Sequence, residues 1–343
     1  MHEIIVDGQT GRSRVMVGEK LANLAEYLPA APTIIITDEN VGALYRDQFP
    51  PGEVITIGCG EKHKTLATLA AIYDRLIALE ADRATFIVGI GGGIVGDITG
   101  FAASTYMRGL RFGFVPTSLL AQVDATVGGK NGVNFKGFKN MVGVFNQPAF
   151  VLADIGVLKT LPPEEIASGL AEIVKHACLA DAQYFSYIEN HCDEISELNE
   201  SVMLHLVHRS VEIKAAVVNR DEREAGERRK LNFGHTLGHA LEKTLGISHG
   251  AAVSAGMMMA AELSVHKGLL APSVFDRIRN LLQRLNLPTQ LKYDRAAVLD
   301  ALRKDKKRER DEIYFVLLEE IGKTVIAPIG IRELGDWLSA LSQ

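Results

Sequence analysis

Cysteine is scarce in this chain. Its 343 residues include three, Cys59, Cys178 and Cys192, an odd number with no C-x-x-C spacing. A disulfide framework and a Cys-rich zinc site are therefore not expected, and a reducing, cytoplasmic compartment fits. Long apolar runs are also missing. The most apolar stretches, around Thr85–Val95 and Ala251–Ala261, fall short of the roughly 20 residues of a membrane helix. The start of the chain, MHEIIVDGQT, has no basic segment leading into an apolar one, so no secretory signal is expected. Positive charge is not in excess: 37 Lys and Arg against 42 Asp and Glu leave −5. The overall balance gives no support to nucleic-acid binding. The one basic run, Arg303–Arg310, is local and mixed in sign. No internal repeat or low-complexity segment is visible. Apolar residues make up 47%, so a large core needs neither disulfides nor a structural metal. The length suggests about two domains at ~150 residues each.

Glycine is plentiful. There are 32, and six fall between Gly89 and Gly100. The first half alternates short apolar runs with helical patterns. Thr33–Thr37, Val54–Ile57, Ala84–Gly89, Phe112–Val115 and Phe150–Ala153 read as buried strands, and Lys64–Leu79 as a helix. Near-continuous apolar strands alternating with helices predict a mostly parallel sheet. After Pro162-Pro163 helical patterns dominate: Glu164–Ala180, Ser201–Asn219, Asn232–Leu245, Ala251–Leu263 and Val274–Leu285, with one late strand at Ile313–Leu317. The expected organisation is an α/β domain over residues 1–162 and a mainly α-helical domain over 163–343.

Gly91–Gly96 reads G-G-G-I-V-G, a G-x-G-x-x-G turn between a predicted strand and a predicted helix. Such glycines let the backbone approach a pyrophosphate at a helix N-terminus. The next strand ends at Pro116-Thr117-Ser118, without the acid a Rossmann unit places there. A variant dinucleotide site is expected, with Asp38 taking the ribose role. Asp97 is either a helix N-terminal acid or a group that orients the cofactor.

His235, His239 and His249 fall close together. His235 and His239, four apart on one predicted helix face with Asn232 and Glu242, could chelate a metal. A bare HxxxH by itself more often marks surface or hydrogen-bonded histidines than a metal site. His249 sits in S-H-G-A-A at a helix start, where histidine has little packing purpose. Glu172 is the best upstream carboxylate. The pattern predicts two of these histidines plus Glu172 around a catalytic metal; spacing does not choose the two. The segment Val123–Gly143 carries Asp124, Gly128-Gly129-Lys130-Asn131 and Lys139-Asn140. It is expected to be a long polar loop that cradles phosphate with backbone N–H groups and lysines. Arg108, Lys175, Lys214, Arg228 and Lys306-Lys307 are further basic candidates.

In combination these segments resemble one family. GGGIVGDITGFAAS, PTSLLAQVDATVGGKNGVN, GFKNMVG, LKTLPPEEIASGLAEIVKH, LNFGHTLGHALE and SHGAAVSAGM follow in one order. They are similar to the 3-dehydroquinate synthases, from about Asp38 to Lys307. The resemblance implies conversion of 3-deoxy-D-arabino-heptulosonate 7-phosphate to 3-dehydroquinate and phosphate in the shikimate pathway. It implies NAD and zinc (or cobalt) as cofactors, an interdomain site and a homodimer, without nucleic-acid or membrane partners. The implied metal ligands are Glu172, His235 and His249, which moves His239 to the substrate phosphate. Lys130, Asn140, Asn232 and one of Lys306 and Lys307 join it there, and Arg108 would reach a neighbouring subunit. Asp124, Lys175, Lys214, Glu224 and Arg228 match positions that touch the substrate's carboxylate and hydroxyls. The implied dinucleotide set is Asp38, Glu61, Lys64, the turn Gly92-Gly93-Ile94-Val95, Asp97, Thr117, Ser118, Lys130, Lys139 and Thr160. Two departures are small: Ser118 and Asn131 each stand where the family usually has threonine. Rival readings are another sugar-phosphate cyclase, a metal- and NAD-dependent polyol dehydrogenase, and a nucleotide-binding regulatory module.

Overall fold

The computed structural model describes residues 1–303, 308–309 and 312–340. The chain forms two compact units: 1–161 with 200–223, and 162–199 with 224–343. Strands and helices are numbered along the chain. The first unit is built on a seven-stranded sheet in the order β1-β2-β9-β6-β5-β3-β4. Its members are β1 (His2–Gly8), β2 (Gly11–Val17), β3 (Thr33–Asp38), β4 (Glu53–Ile57), β5 (Phe86–Gly91), β6 (Phe112–Pro116) and β9 (Phe150–Ala153). All pairs are parallel except the β1–β2 hairpin. Strands β5, β6 and β9 are buried along their whole lengths. Cover on both faces is what their unbroken apolar runs require.

Helices α1 (Glu39–Tyr45), α2 (Leu66–Ala78) and α3 (Gly93–Thr105) follow β3, β4 and β5, and α7 (Glu200–Arg220) returns to this unit. The β1–β2 hairpin is absent from the sequence reading. Its strands are half-exposed, so they lack a buried strand's apolar run. The strand placed at Ala84–Gly89 lies two residues later.

Residues 123–143 are not the long polar loop expected from their composition. They form a turn of π-helix (Ala121–Ala125) and an antiparallel pair, β7 (Lys130–Phe135) and β8 (Phe138–Phe145). The reason is local. Val127 and Val133 are buried and anchor the segment, while Lys136 and Gly137 both take positive φ and close a two-residue hairpin. Asn131 does not project as a free polar group. It is buried, and its amide donates to the carbonyls of Gly129 and Asn146 at 2.9 Å each.

The second unit is mainly helical: α4 (Pro163–Ala180), α5 (Ala182–Asn190), α6 (Cys192–Ser196), α8 (His235–Leu245), α9 (His249–His266), α10 (Pro272–Arg284), α11 (Arg295–Arg303) and α12 (Ile331–Ala340). A small sheet, β10 (Arg308–Glu309), β11 (Glu312–Glu320) and β12 (Lys323–Gly330), completes it. Helix α9 is buried around most of its circumference, as expected of a helix apolar on all sides. Glycines set its crossings. A Cβ on Gly250 would lie 2.3 Å from Ser168 Cα of α4, and one on Gly256 2.1 Å from the Gly234 carbonyl oxygen. Among the described residues no helix is long and apolar enough to cross a membrane.

Candidate functional site

In the first unit most of the candidate dinucleotide residues lie at the carboxyl ends of the parallel strands. Strand β5 lies between β3 and β6, while β4 lies outside β3. The chain therefore reverses its direction of winding between β3 and β5, where open α/β sheets bind ligands. Asp38 ends β3 and Gly91 ends β5. Gly92 caps α3, and the N–H groups of Gly93, Ile94 and Val95 form its first turn, which has no intrahelical acceptors. The glycines also allow close packing. A Cβ on Gly93 would lie 3.1 Å from Ala125 Cβ, and one on Gly89 2.9 Å from Thr99 Oγ1.

Asp38 is partly engaged as a helix cap, accepting from Val41 N–H at 2.9 Å. Lys64 is 5% exposed and pairs with Asp97. Burial pushes the Asp97 carboxyl up, and the Lys64 charge only partly offsets this. Glu61 accepts from the Asn134 amide at 2.7 Å. Thr117 N–H bonds the Gly91 carbonyl at 2.9 Å, and Ser118 lies beside Gly92. The Thr160 hydroxyl meets that of Tyr45 at 2.5 Å. Lys214 of α7 pairs with Asp124 at 2.6 Å and is 5% exposed. Lys130, Lys139 and Asn140 are exposed on the β7–β8 hairpin, and Arg108 is exposed beyond α3 in a left-handed conformation.

In the second unit three side chains converge. His235 Nε2 and His249 Nε2 lie 3.4 and 3.3 Å from Glu172 Oε1. One ligand atom from each lies within 4.8 Å of the others. Each element places its ligand for a physical reason. Glu172 is fully buried in α4, beside the Lys175 ammonium. Gly234 adopts φ 77° and starts α8 at His235. Ser248 caps α9, so His249 opens that helix, and Gly250 brings it against Ser168, one turn before Glu172. Burial pulls the His249 imidazole down, but hydrogen bonds and charge from Glu172 and Glu242 outweigh it and raise it to about 9.

A carboxylate and two imidazoles are the donor set of a catalytic divalent metal. A second possible set, His239, Glu242 and His249, also lies within 4.8 Å. His239 sits 5.2 Å from His235, ring to ring. The helix expected from Asn232 begins at His235 instead; Asn232 ends a preceding 3₁₀ segment and donates to Glu224. Arg228 is 2% exposed in that same segment. Lys306 and Lys307 lie outside the described residues. Glu242, beside His249, was not among the expected site residues. Its signal was its place on the His235–His239 helix face.

A parallel sheet with a glycine turn at its switch point, and a carboxylate–imidazole cluster in a helical unit, define a class of two-unit proteins with known relatives. The 3-dehydroquinate synthase N-terminal family matches residues 54–168 and the 3-dehydroquinate synthase C-terminal family matches residues 169–308. The chain belongs to the 3-dehydroquinate synthase family, an enzyme family of the sugar-phosphate cyclases. Two solved structures are similar over nearly all of both chains. One is 2-epi-5-epi-valiolone synthase from Streptomyces hygroscopicus subsp. jinggangensis with NAD+ and Zn2+ bound (28% identity, 99% of this chain and 97% of that one, TM-score 0.87). Another is 2-deoxy-scyllo-inosose synthase complexed with carbaglucose-6-phosphate, NAD+ and Co2+ (26% identity, 98% and 99%, TM-score 0.84). Sulfoacetaldehyde reductase from Bifidobacterium kashiwanohense shares the fold at 15% identity, 95% of this chain, 96% of that one and TM-score 0.67.

Proposed function

We propose that this protein is a 3-dehydroquinate synthase. It would convert 3-deoxy-D-arabino-heptulosonate 7-phosphate to 3-dehydroquinate and phosphate. The observation that carries the reading is the convergence of Glu172, His235 and His249 in a chain matched by both halves of that family. The reaction class is oxidation of one ring alcohol, β-elimination of phosphate, re-reduction, ring opening and aldol closure. When bound, NAD+ supplies a reversible oxidant and the divalent metal a Lewis acid that acidifies an alcohol.

The chain's own residues bind and orient. The N–H groups of Gly93, Ile94 and Val95 would hold the pyrophosphate, and Asp38 would accept from a ribose hydroxyl. Glu61, Lys64, Asp97, Thr117, Ser118, Lys139 and Thr160 complete the dinucleotide set. Glu172, His235 and His249 would hold the metal. Lys130 and Asn140 in the first unit and Asn232 and His239 in the second would bind the leaving phosphate, and the substrate phosphate would serve as the base. Lys175, Lys214 and Arg228 would meet the substrate's carboxylate and hydroxyls together with Asp124 and Glu224; Asp124 pairs with Lys214, and Glu224 accepts from Asn232. Arg108 would serve a neighbouring subunit.

The test is phosphate release from the heptulosonate phosphate with NAD+ and zinc, before and after chelation. Chelator-sensitive release without net NADH supports the reading. Stoichiometric NADH would instead identify a polyol dehydrogenase. A second reading, a cyclase acting on another phosphorylated sugar, is favoured by the solved relatives at 26–28% identity. Release from glucose 6-phosphate but not from the heptulosonate would select it.

A further inference from the structure

The β7–β8 hairpin is irregular where its candidate ligands lie. Val133 pairs with Val142, but Phe135 pairs with Phe138. Asn134 alone therefore faces Lys139, Asn140 and Met141, and β8 bulges. Asn140 within the bulge adopts φ 50°. Bulges of this kind re-aim side chains and recur next to active sites. Something must hold the displaced residues, because they have left the ladder.

Asn134 does so with three hydrogen bonds in three directions. Its side-chain oxygen accepts from the Asn140 N–H at 2.9 Å, and its side-chain amide donates to Glu61 Oε1 at 2.7 Å. Its backbone N–H donates to the Lys64 carbonyl at 2.9 Å, beside a parallel bridge to Thr65. A carboxylate partner demands the NH₂ and an N–H partner demands the oxygen, so the amide orientation follows from its neighbours. Lys64 continues the chain of contacts to Asp97. One half-buried asparagine thus joins segment 61–65 to the bulge at Lys139–Asn140.

We infer that Asn134 is a positioning residue that couples dinucleotide binding to anion binding within the first unit. This rests on the functional reading above, which puts Glu61, Lys64 and Lys139 at the dinucleotide and Asn140 at the leaving phosphate. A ligand that fixes segment 61–65 fixes Asn134, and with it the bulge. The anion then binds a hairpin already ordered, and the two ligands reinforce one another.

The test is calorimetric titration of inorganic phosphate into the zinc-loaded protein, with and without saturating NAD+. In the unaltered protein NAD+ should tighten phosphate about tenfold. In Asn134→Ala that ratio should fall to near one, with NAD+ affinity in the absence of phosphate changed no more than about twofold. Equal coupling in the variant, or none in the unaltered protein, overturns the inference. Amide exchange of peptide 136–143 in the unaltered protein needs no variant. It should slow when NAD+ is added, and unchanged exchange also overturns the coupling. Complete failure to bind NAD+ would instead overturn the functional reading, and this inference with it.

Discussion

His249 and His239 share a corner of the second unit, yet they are expected to fail differently. His249 Nε2 lies 3.3 Å from Glu172 Oε1, on the fully buried carboxylate of the cluster. His249→Ala should bring zinc content in the purified protein close to nil by metal analysis. His239→Ala should keep its zinc. Its kcat/KM should fall on the order of 10–100-fold, the worth of one charge-assisted hydrogen bond to phosphate. Zinc loss in both variants would favour the alternative set of His239, Glu242 and His249, and zinc retained in His249→Ala would count against both sets. The sequence made the residue types legible, because Glu172, His235 and His249 stand in recognisable segments. It could not choose among the three histidines by spacing, because His249 comes from a different helix than the pair at i and i+4. Glu222 illustrates what pattern hides altogether. It is buried beside the β1–β2 turn, where it accepts from Thr10 N–H at 3.1 Å and from the Gln147 amide at 2.8 Å.

At the scale of elements, glycine placement decides which helices can touch. Gly250→Ala would put a Cβ 2.3 Å from Ser168 Cα, in backbone rather than in a yielding side chain. Overpacking of this sort costs typically ~1–3 kcal/mol. The variant should unfold at a lower temperature and hold less zinc, since α4 carries Glu172 and α9 carries His249; native zinc content with a native melting point would contradict this. The β1–β2 hairpin gives a pH-dependent case. Burial pushes the Glu222 carboxyl up, but hydrogen bonds from Thr10 and Gln147 outweigh it and hold the carboxyl below its usual range. The fold therefore favours the charged form. Its contribution is complete above the unfolded glutamate value and is lost as pH falls through the lower folded one. Glu222→Gln should lower the urea midpoint at pH 7, by about 1–3 kcal/mol in stability, and the gap to the unaltered protein should narrow under acid. A gap that widens in acid would reverse the assignment. The hairpins β1–β2 and β7–β8 escaped sequence reading for one reason: half-exposed antiparallel strands carry no continuous apolar signal.

For the whole molecule, chelation should abolish phosphate release, and added zinc should restore it. A ligand bound only by the folded protein stabilises it by about 2.7 kcal/mol at a hundredfold excess over its Kd. Chelation should thus lower the melting point of the unaltered protein and leave that of His249→Ala unmoved. An equal drop in both would place the metal elsewhere. By itself the sequence determined the parallel sheet, the glycine turn, the helical second half and the pool of candidate ligands. Each of these is written in local apolar periodicity or in residue type at fixed spacing. Only the tertiary structure decided that α7 rejoins the first unit, that His235 and His249 share one oxygen of Glu172, and that Asn134 holds a bulge. These depend on crossings between segments far apart in the chain, set by close approach at glycine and by buried hydrogen bonds. Neither leaves a periodic trace in the sequence.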